Sequence, residues 1–346
     1  MAKTLRNKYD KILSYDSIKK AYLDTRSGKK LRKEVILFSL NEEENLLNLY
    51  YELKTGTYVH GNYTSFIVHE PKDRIIEKAP FRDRIVHTWL VENFLMPYYY
   101  PRFIKNTYAC LKYRGMHKAA LDLQQGMKEM KRSYREYYIL KMDVRKFFNS
   151  IDKRILYDII SKKIKDPKVL WLIRKILSAQ KKRKGIEIGN FTSQTFANIY
   201  LNEIDQYIKN ELKVKYYYRY MDDSVLFTKT KDEAKRILEK IKLFLKDNLN
   251  LELNDKTAIF KSKQGVNFCG YKINEYRLKV RNKGKKKFKK KVKFLLIKIK
   301  EDEQFSGKNA RTYLTGHIGY FNPANTFDLE RKNIFLMEDL QNLNIL

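Results

Sequence analysis

The sequence predicts an α+β fold, in which helices surround an antiparallel β-sheet that carries acidic side chains at the ends of its strands. Two β-prone runs indicate the sheet, REYYILKMDV and VKYYYRYMDDSVLFTK, and they contain Asp143, Asp222 and Asp223. Apolar residues at helical spacing, in the first 55 residues and again beyond residue 283, indicate the helices. With 346 residues, 43% of them hydrophobic, the chain is long enough for two or three packed units.

The charge balance favours a polyanionic partner. The chain has 73 Lys and Arg against 40 Asp and Glu, a formal net charge of +33, which points to nucleic acid, with an anionic membrane surface as the competitor. No apolar run approaches the roughly 18 residues of a spanning helix, and the N-terminus lacks the apolar core of a signal peptide. Cys110 and Cys269 lie among hydrophobes, so we expect them in the core and the protein in a reducing cytoplasm, without a membrane partner.

The first half of the chain alternates helical and strand patterns. Residues 1 to about 55 are predicted to be helical, with Gly56 as the stop. The segment YTSFIVHEPKDRIIEKAP predicts two short strands around a turn at Pro71 to Asp73. The segment IVHTWLVENFLMPYYY predicts a buried helix that ends at Pro97.

The second half adds three helices and a strand pair. The segments KVLWLIRKILSAQKK and AKRILEKIKLFLKDNLN have helical periodicity. A third helix is predicted in TSQTFANIYLNEIDQYIKN, with Thr192 or Ser193 as its N-cap. The runs GVNFCGYKI and RLKVR predict a short strand pair.

A lysine-rich helix is predicted after residue 283. Eight of the eleven residues 283–293 are lysines, above an apolar stripe at helical spacing that runs from Phe288 to Ile299. A charge run is usually a solvated helix face, but these lysines are nearly unrelieved by acids and would repel one another. We therefore favour contacts with nucleic-acid phosphates, made by Lys285, Lys286, Lys287, Lys289 and Lys290.

The acidic residues are predicted to converge. If the strand that ends at Asp143 lies beside the hairpin that carries Asp222 and Asp223, three carboxylates meet, which is costly unless a cation binds them. Mg²⁺ prefers such oxygen ligands, and two ions can stabilise both the attacking and the leaving oxygen of an in-line displacement. The alternative is an ordinary turn, since Asp is a common turn residue; the aromatic and apolar setting of YMDD is more specific than the DD pair alone.

The ordered motifs resemble reverse transcriptases. YMDD, with a DxxxxF segment some eighty residues earlier, resembles their active site, and EPKDRIIEKAPFRDRIV, IGNFTSQTFANIYLNEID, LNLELNDKT and VNFCGYKI resemble further blocks in the family's order. The resemblance covers roughly residues 55 to 345. It implies a right-hand polymerase fold, with an N-terminal helical extension at 1–55, fingers at 56–136, a palm at 137–275 with finger helices inserted around 155–185, and a short basic helical thumb at 276–346.

The resemblance also implies roles for individual residues. Asp143, Asp222 and Asp223 hold two Mg²⁺ ions, with Mn²⁺ as a possible substitute, and act in catalysis. The residues implied to bind the dNTP are Lys72, Arg74, Val144, Phe148, Ile188, Gly189 and Lys256. Phe148 matches the ring that excludes a ribose 2′-OH, whereas Phe147 is expected to be core. The primer grip matches Phe268, Cys269, Gly270 and Tyr271.

One departure from the common motif narrows the resemblance. Where most members read QGxxxSP, this chain reads IGNFTSQ, a form similar to the reverse transcriptases of diversity-generating retroelements. That group copies a template-repeat RNA into cDNA with errors opposite adenines, works with a small basic pentameric accessory protein, and is bacterial or phage-encoded. Isoleucine cannot form the hydrogen bond of the usual glutamine, so Ile188 is expected to lower fidelity unless it is merely a tolerated hydrophobe.

Two alternatives stay open on the sequence alone. The first is a reverse transcriptase of an antiphage defence system with its own noncoding RNA, whose active site would look much the same. The second is a catalytically inactive RNA-binding protein, which the three intact aspartates disfavour. A retron enzyme or an intron maturase is less expected, because the chain stops soon after the predicted thumb.

Overall fold

The computed structural model describes residues 4–69, 73–180, 182–301, 307–324, 326 and 329. The chain forms two compact units. The first comprises Met1–Lys105, Val144–Lys213 and Glu239–Asp255, and the second comprises Asn106–Asp143, Val214–Leu238 and Lys256–Leu346.

Helices and strands alternate along the described residues, as the sequence predicts for an α+β fold. The α-helices are α1 (Tyr9–Ile12), α2 (Tyr15–Arg26), α3 (Lys33–Leu40), α4 (Glu42–Thr55), α5 (Phe81–Leu90), α6 (Met96–Tyr99), α7 (Met116–Ser133), α8 (Phe147–Ser150), α9 (Lys153–Lys163), α10 (Pro167–Ser178), α11 (Phe191–Gln206), α12 (Lys231–Leu249), α13 (Asn282–Glu301) and α14 (Gly307–Phe321). The strands are β1 (Thr64–Val68), β2 (Arg74–Lys78), β3 (Tyr138–Asp143), β4 (Tyr217–Tyr220), β5 (Asp223–Thr228), β6 (Ala258–Lys261), β7 (Val266–Phe268), β8 (Tyr271–Ile273) and β9 (Leu278–Val280).

The strands form three antiparallel sheets. One is the β1–β2 hairpin, the second has the order β4-β5-β3-β6, and the third is the meander β7-β8-β9. The predicted turn of the first hairpin falls largely on residues 70–72, which lie outside the described residues. None of the described helices is both long and apolar enough to cross a bilayer.

The first unit is mainly helical, and its N-terminal part confirms the predicted helices. Helices α1 to α4 account for most of residues 9–55, and α4 stops at Gly56, whose φ of 77° is the left-handed conformation that glycine adopts without a Cβ penalty. Tyr9 and Trp89 pack edge to face, with ring centroids 5.3 Å apart, and Trp89 is fully buried. The Tyr9 hydroxyl also donates to the Leu53 carbonyl at 3.0 Å, which joins α1 to α4.

The helix around Pro97 extends beyond the predicted end. Helix α5 passes into a π-helical turn at Val91–Leu95 and then into α6, in which Pro97 lies in the first turn. A wider turn before proline re-spaces the carbonyls that would otherwise face its ring. The helix can therefore continue past Pro97, and α6 ends at Tyr99. The prediction of a stop at Pro97 was wrong by less than one turn.

The start of α11 also differs from the prediction. Its N-cap is Asn190, and Thr192 and Ser193 lie inside the first turn, where both are buried. The Asn190 side chain does not cap the helix. Its Oδ1 accepts from the Ala79 amide at 3.1 Å, and its Nδ2 donates to the Glu77 carbonyl at 2.8 Å, so that it joins the helix start to β2.

The second unit has its core between α7, the two larger sheets and the C-terminal helices. On α13 the apolar stripe is buried at Phe288, Val292 and Leu295, as predicted from the spacing. The segment GVNFCGYKI folds back on itself as β7 and β8, which makes a three-stranded meander with β9 and corrects the prediction of a simple strand pair. Cys110 is exposed and Cys269 half-buried, so the prediction that both lie in the core was wrong; both occupy turn positions with positive φ.

A close helix–strand contact explains one glycine and gives a stability prediction. A Cβ at Gly126, in the middle of α7, would overlap the hydroxyl of the buried Tyr218 on β4. We expect Gly126→Ala to lower the free energy of unfolding by about 1–3 kcal/mol, because overpacking outweighs the gain in helix propensity. Urea denaturation measures the change. The control is Gly316→Ala on α14, where nothing lies within 4 Å and the same change should stabilise by up to about 1 kcal/mol. A stabilised Gly126→Ala variant would contradict this packing.

A buried histidine pair predicts how stability depends on pH. His87 is fully enclosed, with its Nε2 3.1 Å from His60 Nε2 and its Nδ1 3.3 Å from the Thr192 hydroxyl. Burial, then His60 and Arg84, lower the pKa of His87 from 6.5 to about 3. Below pH 6.5 the unfolded chain therefore binds a proton at this histidine that the folded chain does not bind. As the pH decreases below 6.5, the free energy of unfolding decreases by about 1.4 kcal/mol per pH unit.

The measurement is urea denaturation at pH 7.5 and pH 5. His87 alone is expected to account for a loss of about 2 kcal/mol at pH 5. His87→Gln should be less stable at pH 7.5 but lack this component of the pH dependence. His69→Gln, which changes an exposed histidine paired with Asp73, should keep it. Equal pH dependence in His87→Gln and the unmodified chain would contradict the prediction.

Candidate active site

The two strands at the centre of the four-stranded sheet bring two of the predicted catalytic residues face to face. Strands β3 and β5 are antiparallel, and Asp143 pairs with Asp223 at the end of the register. Paired residues in such a ladder have Cα atoms about 4.5–5.5 Å apart. Asp222 directly precedes β5, in the two-residue loop that joins it to β4. The predicted convergence of the three aspartates at one end of the sheet is thus present in the backbone.

The loop that carries Asp222 is supported from behind by Arg219. Met221 has a φ of 55°, an uncommon conformation for a side chain with a Cβ. The Arg219 side chain is only 2% exposed, and its guanidinium donates to the Met221 carbonyl at 3.1 Å. The Arg219 backbone bonds on both sides to a neighbouring segment, through the Asn106 carbonyl at 2.9 Å and the Tyr108 amide at 3.1 Å.

Lys141 neutralises one of the carboxylates. It lies two residues before Asp143 on β3, and therefore on the same face of the strand. Its ammonium group donates to Asp223 Oδ1 at 2.5 Å and to the Asn267 carbonyl of β7 at 2.8 Å. Burial raises the pKa of Asp223, Lys141 opposes this, and Asp143 adds to it. Asp223 is thus partly removed from water and lies between a second carboxylate, Asp143, and a cation, Lys141. Such an arrangement is expected where several carboxylates bind the same cations.

The donor set of this edge fits hard divalent cations. All three side chains offer carboxylate oxygens, and two of them face each other across one register position. In the part of the chain that the structure describes, no three His, Cys, Asp or Glu side chains are already grouped for metal binding.

The predicted primer-grip residues form a tight hairpin beside Lys141. Phe268 and Tyr271 are paired and fully buried, while Cys269 and Gly270 make the two-residue loop, with φ values of 49° and 85°. Two positive φ values are typical of the loop whose twist matches a β-hairpin. Asn267, which receives the Lys141 hydrogen bond, lies in the strand that leads into this loop.

Tyr320 of α14 holds the primer-grip loop. Its hydroxyl donates to the Gly270 carbonyl at 2.7 Å, and the Tyr271 hydroxyl donates to the Tyr320 carbonyl at 2.5 Å. The rings of Tyr271 and Tyr320 stack with centroids 5.2 Å apart. A Cβ on Gly270 would overlap the Tyr320 hydroxyl, so this glycine serves the close approach of α14.

The predicted nucleotide-binding loop of the first unit is fixed to β2. The Glu77 amide donates to the Ile188 carbonyl at 3.0 Å, which anchors the backbone of the IGNFTSQ motif. Gly189 has a φ of 117°, and a Cβ there would come within 2.7 Å of Ile76 Cγ2. The glycine is therefore required by its own backbone and by β2. The Ile188 side chain is half-buried.

The other predicted nucleotide contacts are dispersed along the chain. Val144 is buried and forms an isolated bridge with Leu253, and Phe148 is half-buried beside the fully buried Phe147. Arg74 is exposed at the start of β2, and Lys256 is exposed in the turn before β6. Lys72 lies outside the described residues.

The lysines predicted to bind nucleic acid lie on the outer face of α13. Lys286, Lys287, Lys289 and Lys290 are exposed and Lys285 is half-buried, opposite the stripe that packs into the core. Their positions agree with a basic face that can contact phosphates.

Three residues of the site escaped the sequence analysis. Lys141 could have been found from the period of two, which puts it on the face of Asp143. Arg219 and Tyr320 carry no such signal, because one basic residue among 73 and one tyrosine among 26 are not distinguishable by pattern. Their roles depend on burial and on long-range hydrogen bonds.

The chain is similar in sequence to several known proteins. The chain is 26% identical over 306 residues to the group II intron-encoded protein LtrA of Lactococcus lactis subsp. cremoris, covering 67% of this chain and 50% of that protein. It is 25% identical over 209 residues to the putative COX1/OXI3 intron 2 protein of Saccharomyces cerevisiae, covering 41% and 24%. Protein YkfC of Escherichia coli is 24% identical over 233 residues, covering 56% and 61%. The chain thus spans between a quarter and three fifths of these relatives.

A family model also matches the chain. The model described as reverse transcriptase (RNA-dependent DNA polymerase) matches residues 70–273, more than half of the chain. The matched range includes the paired Asp143 and Asp223, Asp222 in its loop, the Ile188 motif and the primer-grip hairpin. Because this match covers more than half of the chain, the chain belongs to the reverse transcriptase family.

Proposed function

We propose that this protein is an RNA-directed DNA polymerase that makes cDNA on an RNA template. The observation that carries the proposal is the pairing of Asp143 with Asp223 on adjacent strands, with Asp222 in the connecting loop, within a chain of the reverse transcriptase family. The net charge of +33 and the exposed lysine face of α13 support a nucleic-acid substrate. The division into fingers, palm and thumb remains part of the proposal.

The proposed reaction joins a primer 3′-oxygen to the α-phosphorus of a dNTP. The O–P bond forms as the bond to pyrophosphate breaks, and the proton of the 3′-hydroxyl passes to solvent water. Asp143, Asp222 and Asp223 would hold two Mg²⁺ ions, which supply charge stabilisation to the attacking and leaving oxygens. The remaining work of the chain is positioning and electrostatic stabilisation.

The surrounding residues have proposed positioning roles. The hairpin of Cys269 and Gly270, held by Tyr320, would seat the primer end. Lys141 links that hairpin to Asp223, and it would thereby set the distance between the primer and the catalytic edge. Phe148 would exclude the 2′-hydroxyl of ribonucleotides, and Arg74, with Lys72, would neutralise the triphosphate.

The finer proposal is error-prone synthesis for a diversity-generating retroelement. It is supported by isoleucine at position 188, where an apolar side chain cannot hydrogen-bond the incoming nucleotide. The retroelement's small basic accessory protein is proposed on the same resemblance. The Ile188 carbonyl is fixed on Glu77, so a substitution there changes the side chain while the backbone keeps its anchor.

Ile188→Gln is expected to make synthesis more accurate. One regained hydrogen bond of about 1 kcal/mol should reduce misincorporation opposite template adenines roughly three- to tenfold. Sequencing of cDNA products measures the error frequency at each template base. Ile188→Leu is the control, because it keeps an apolar side chain and should keep the error pattern. Unchanged adenine errors in Ile188→Gln would contradict the role of this position.

The experiment that tests the function is cDNA synthesis on a primed RNA template with Mg²⁺ and dNTPs. Asp222→Asn/Asp223→Asn is the negative control, and native flanking RNA and any small neighbouring protein are added in parallel. Errors concentrated at template adenines support the retroelement proposal, whereas accurate or repetitive products indicate a defence enzyme. Synthesis no greater than that of the double variant, under every condition, would refute the polymerase and leave an RNA-binding protein.

A further inference from the structure

A second polar cleft lies in the second unit, at the opposite end of β3 from the aspartates. Its volume is about 640 Å³, within the range of roughly 300–1,000 Å³ of small-ligand pockets. Its lining comes from three elements: the C-terminal end of α7 with the residues that follow, the turn after β6, and the β8–β9 turn. Since β3 runs from Tyr138 to Asp143 at about 3.3 Å per residue, the cleft is roughly 20 Å from the catalytic edge.

The cleft presents an excess of positive charge. Lys131, Arg135 and Lys263 line it, and all three are exposed. The lining also contains two acids, Glu136 and Glu275. Glu136 is already paired with Lys261 at 2.6 Å, so its charge is offset by a cation outside the lining. The field inside the cleft therefore favours an anion.

The second acid of the lining is committed to the core. Glu275 is buried, and its carboxylate accepts from the buried Tyr137 hydroxyl at 2.8 Å. This hydrogen bond ties the β8–β9 turn to the start of β3. Glu275 thus acts as an anchor for the turn, and even with its charge counted the lining and Lys261 have four cations against two acids.

An aromatic ring stands at the rim on a rigid turn. The Tyr276 side chain is 76% exposed, although tyrosine is usually partly covered. Its backbone is held by Asn274, whose Oδ1 accepts from the Tyr276 amide at 3.0 Å and from the Arg277 amide at 2.7 Å. The Asn274 carbonyl accepts from Gln124 of α7 at 3.1 Å. The backbone that carries the ring is thus held in place, so that binding of a base has to order only the Tyr276 side chain.

We propose that this cleft binds single-stranded RNA, with Tyr276 stacking on a base and Lys131, Arg135 and Lys263 contacting the flanking phosphates. Cations beside an exposed aromatic ring are the combination that binds single strands without sequence preference. Among the described lining residues, Tyr276 is the one large exposed hydrophobic side chain, whereas protein-binding surfaces need a larger apolar core. The inference rests on the proposed use of an RNA template, and assigns to the cleft a segment of RNA outside the catalytic site.

The test uses the full chain and a fluorescent 12-nucleotide RNA that contains 4-thiouridine. An unlabelled primer–template hybrid is present in excess, so that the labelled strand reports on sites other than the catalytic one. Anisotropy gives its affinity, and cross-linking with mass spectrometry maps its contacts. We expect cross-links on residues 274–277. Tyr276→Ala should weaken binding about tenfold, which lies within the range for one stacked base.

Charge reversal tests the phosphate contacts. The affinity falls as the salt concentration rises, and Lys131→Glu/Lys263→Glu should make the plot of log affinity against log salt less steep. Its slope should decrease in magnitude by about 1.4, roughly 0.7 for each phosphate that the chain no longer neutralises. Lys240→Glu/Lys246→Glu, the same charge change on exposed residues of α12, should leave the cross-links in place. Tyr51→Ala is the control for removal of an exposed tyrosine. Equal effects of the cleft and control variants would overturn the proposal.

Further outcomes separate this proposal from the polymerase function. Extension of a short hybrid should proceed normally in all the cleft variants. An unmodified chain that extends primers but gives no cross-link at residues 274–277 overturns the cleft proposal alone. A chain that gives the cross-link but extends no primer supports the cleft and refutes the polymerase. Displacement of the RNA by a poly-glutamate peptide of equal affinity would overturn the cleft proposal in favour of a protein partner.

Discussion

Replacing Asp223 with asparagine is expected to lower the rate of DNA synthesis by roughly 10³-fold, about 4 kcal/mol of transition-state stabilisation, while the fold stays intact. The amide keeps the shape of the side chain but removes the negative charge that the catalytic edge offers to a cation. Asp143, opposite in the register, cannot replace it, because two carboxylates then serve where three did.

The stability of this variant distinguishes a functional carboxylate from a structural one. Burial and Asp143 disfavour the charged form of Asp223, and substitution removes that penalty. The loss of the Lys141 ion pair, at 2.5 Å, acts in the opposite direction. We therefore expect the free energy of unfolding to change by less than about 1 kcal/mol, close to the range of ordinary surface substitutions.

Primer extension and urea denaturation of the same preparations check both parts. Asp232→Asn is the matched control, since Asp232 is an exposed aspartate of α12 paired with Lys235 at 3.5 Å. It should affect neither quantity. An Asp223→Asn variant that retains a tenth or more of the activity would remove Asp223 from the catalytic residues. A variant that loses several kcal/mol of stability would make the carboxylate a structural element of the hairpin.

The sequence predicts the catalytic edge well because its signal is local. A strand that ends in an aspartate, and a hairpin with two aspartates at its loop, determine which residues reach the edge, and a period of two determines their faces. The pairing of Asp143 with Asp223 needs one further assumption, that β3 lies beside β5, and the structure confirms it. The basic face of α13 follows from helical periodicity in the same way.

The features that escaped prediction depend on partners far away in the chain. Strand β6 is only four residues long and becomes recognisable through its pairing with β3. Asn190 does not cap α11 with its side chain, because its amide is used by the β2 segment, more than a hundred residues earlier. Cys110 is exposed because it lies in a turn with positive φ. Its apolar neighbours in the sequence give no indication of that turn.

Buried charge is the hardest feature to see in a basic sequence. Arg219 precedes the catalytic loop and reads as one more cation that could contact nucleic acid. The structure places it almost wholly inside, where an arginine persists only if its donors are satisfied. Its hydrogen bond to the Met221 carbonyl therefore gives it a role in shaping the loop rather than in binding the substrate.

Arg219→Met is expected to lower the free energy of unfolding by about 1–3 kcal/mol and the rate of synthesis by roughly 100-fold. Methionine fills similar space but leaves the Met221 carbonyl without this donor, which removes the net stabilisation of that hydrogen bond. Met221 already has an unfavourable φ, and without the arginine the loop can relax. A displacement of about 1 Å at Asp222 is enough to lower the rate by two orders of magnitude.

The comparison of kcat with KM decides whether Arg219 acts through the loop. If it positions Asp222, kcat should fall and the concentration of Mg²⁺ for half-maximal rate should rise, while KM for the primer–template changes little. Arg236→Met, on an exposed position of α12, should leave all three near their original values. A rise in KM alone would show that Arg219 contributes to substrate binding. A loss of stability with kcat unchanged would show that the buried guanidinium holds β4 to its neighbouring segment without shaping the catalytic loop.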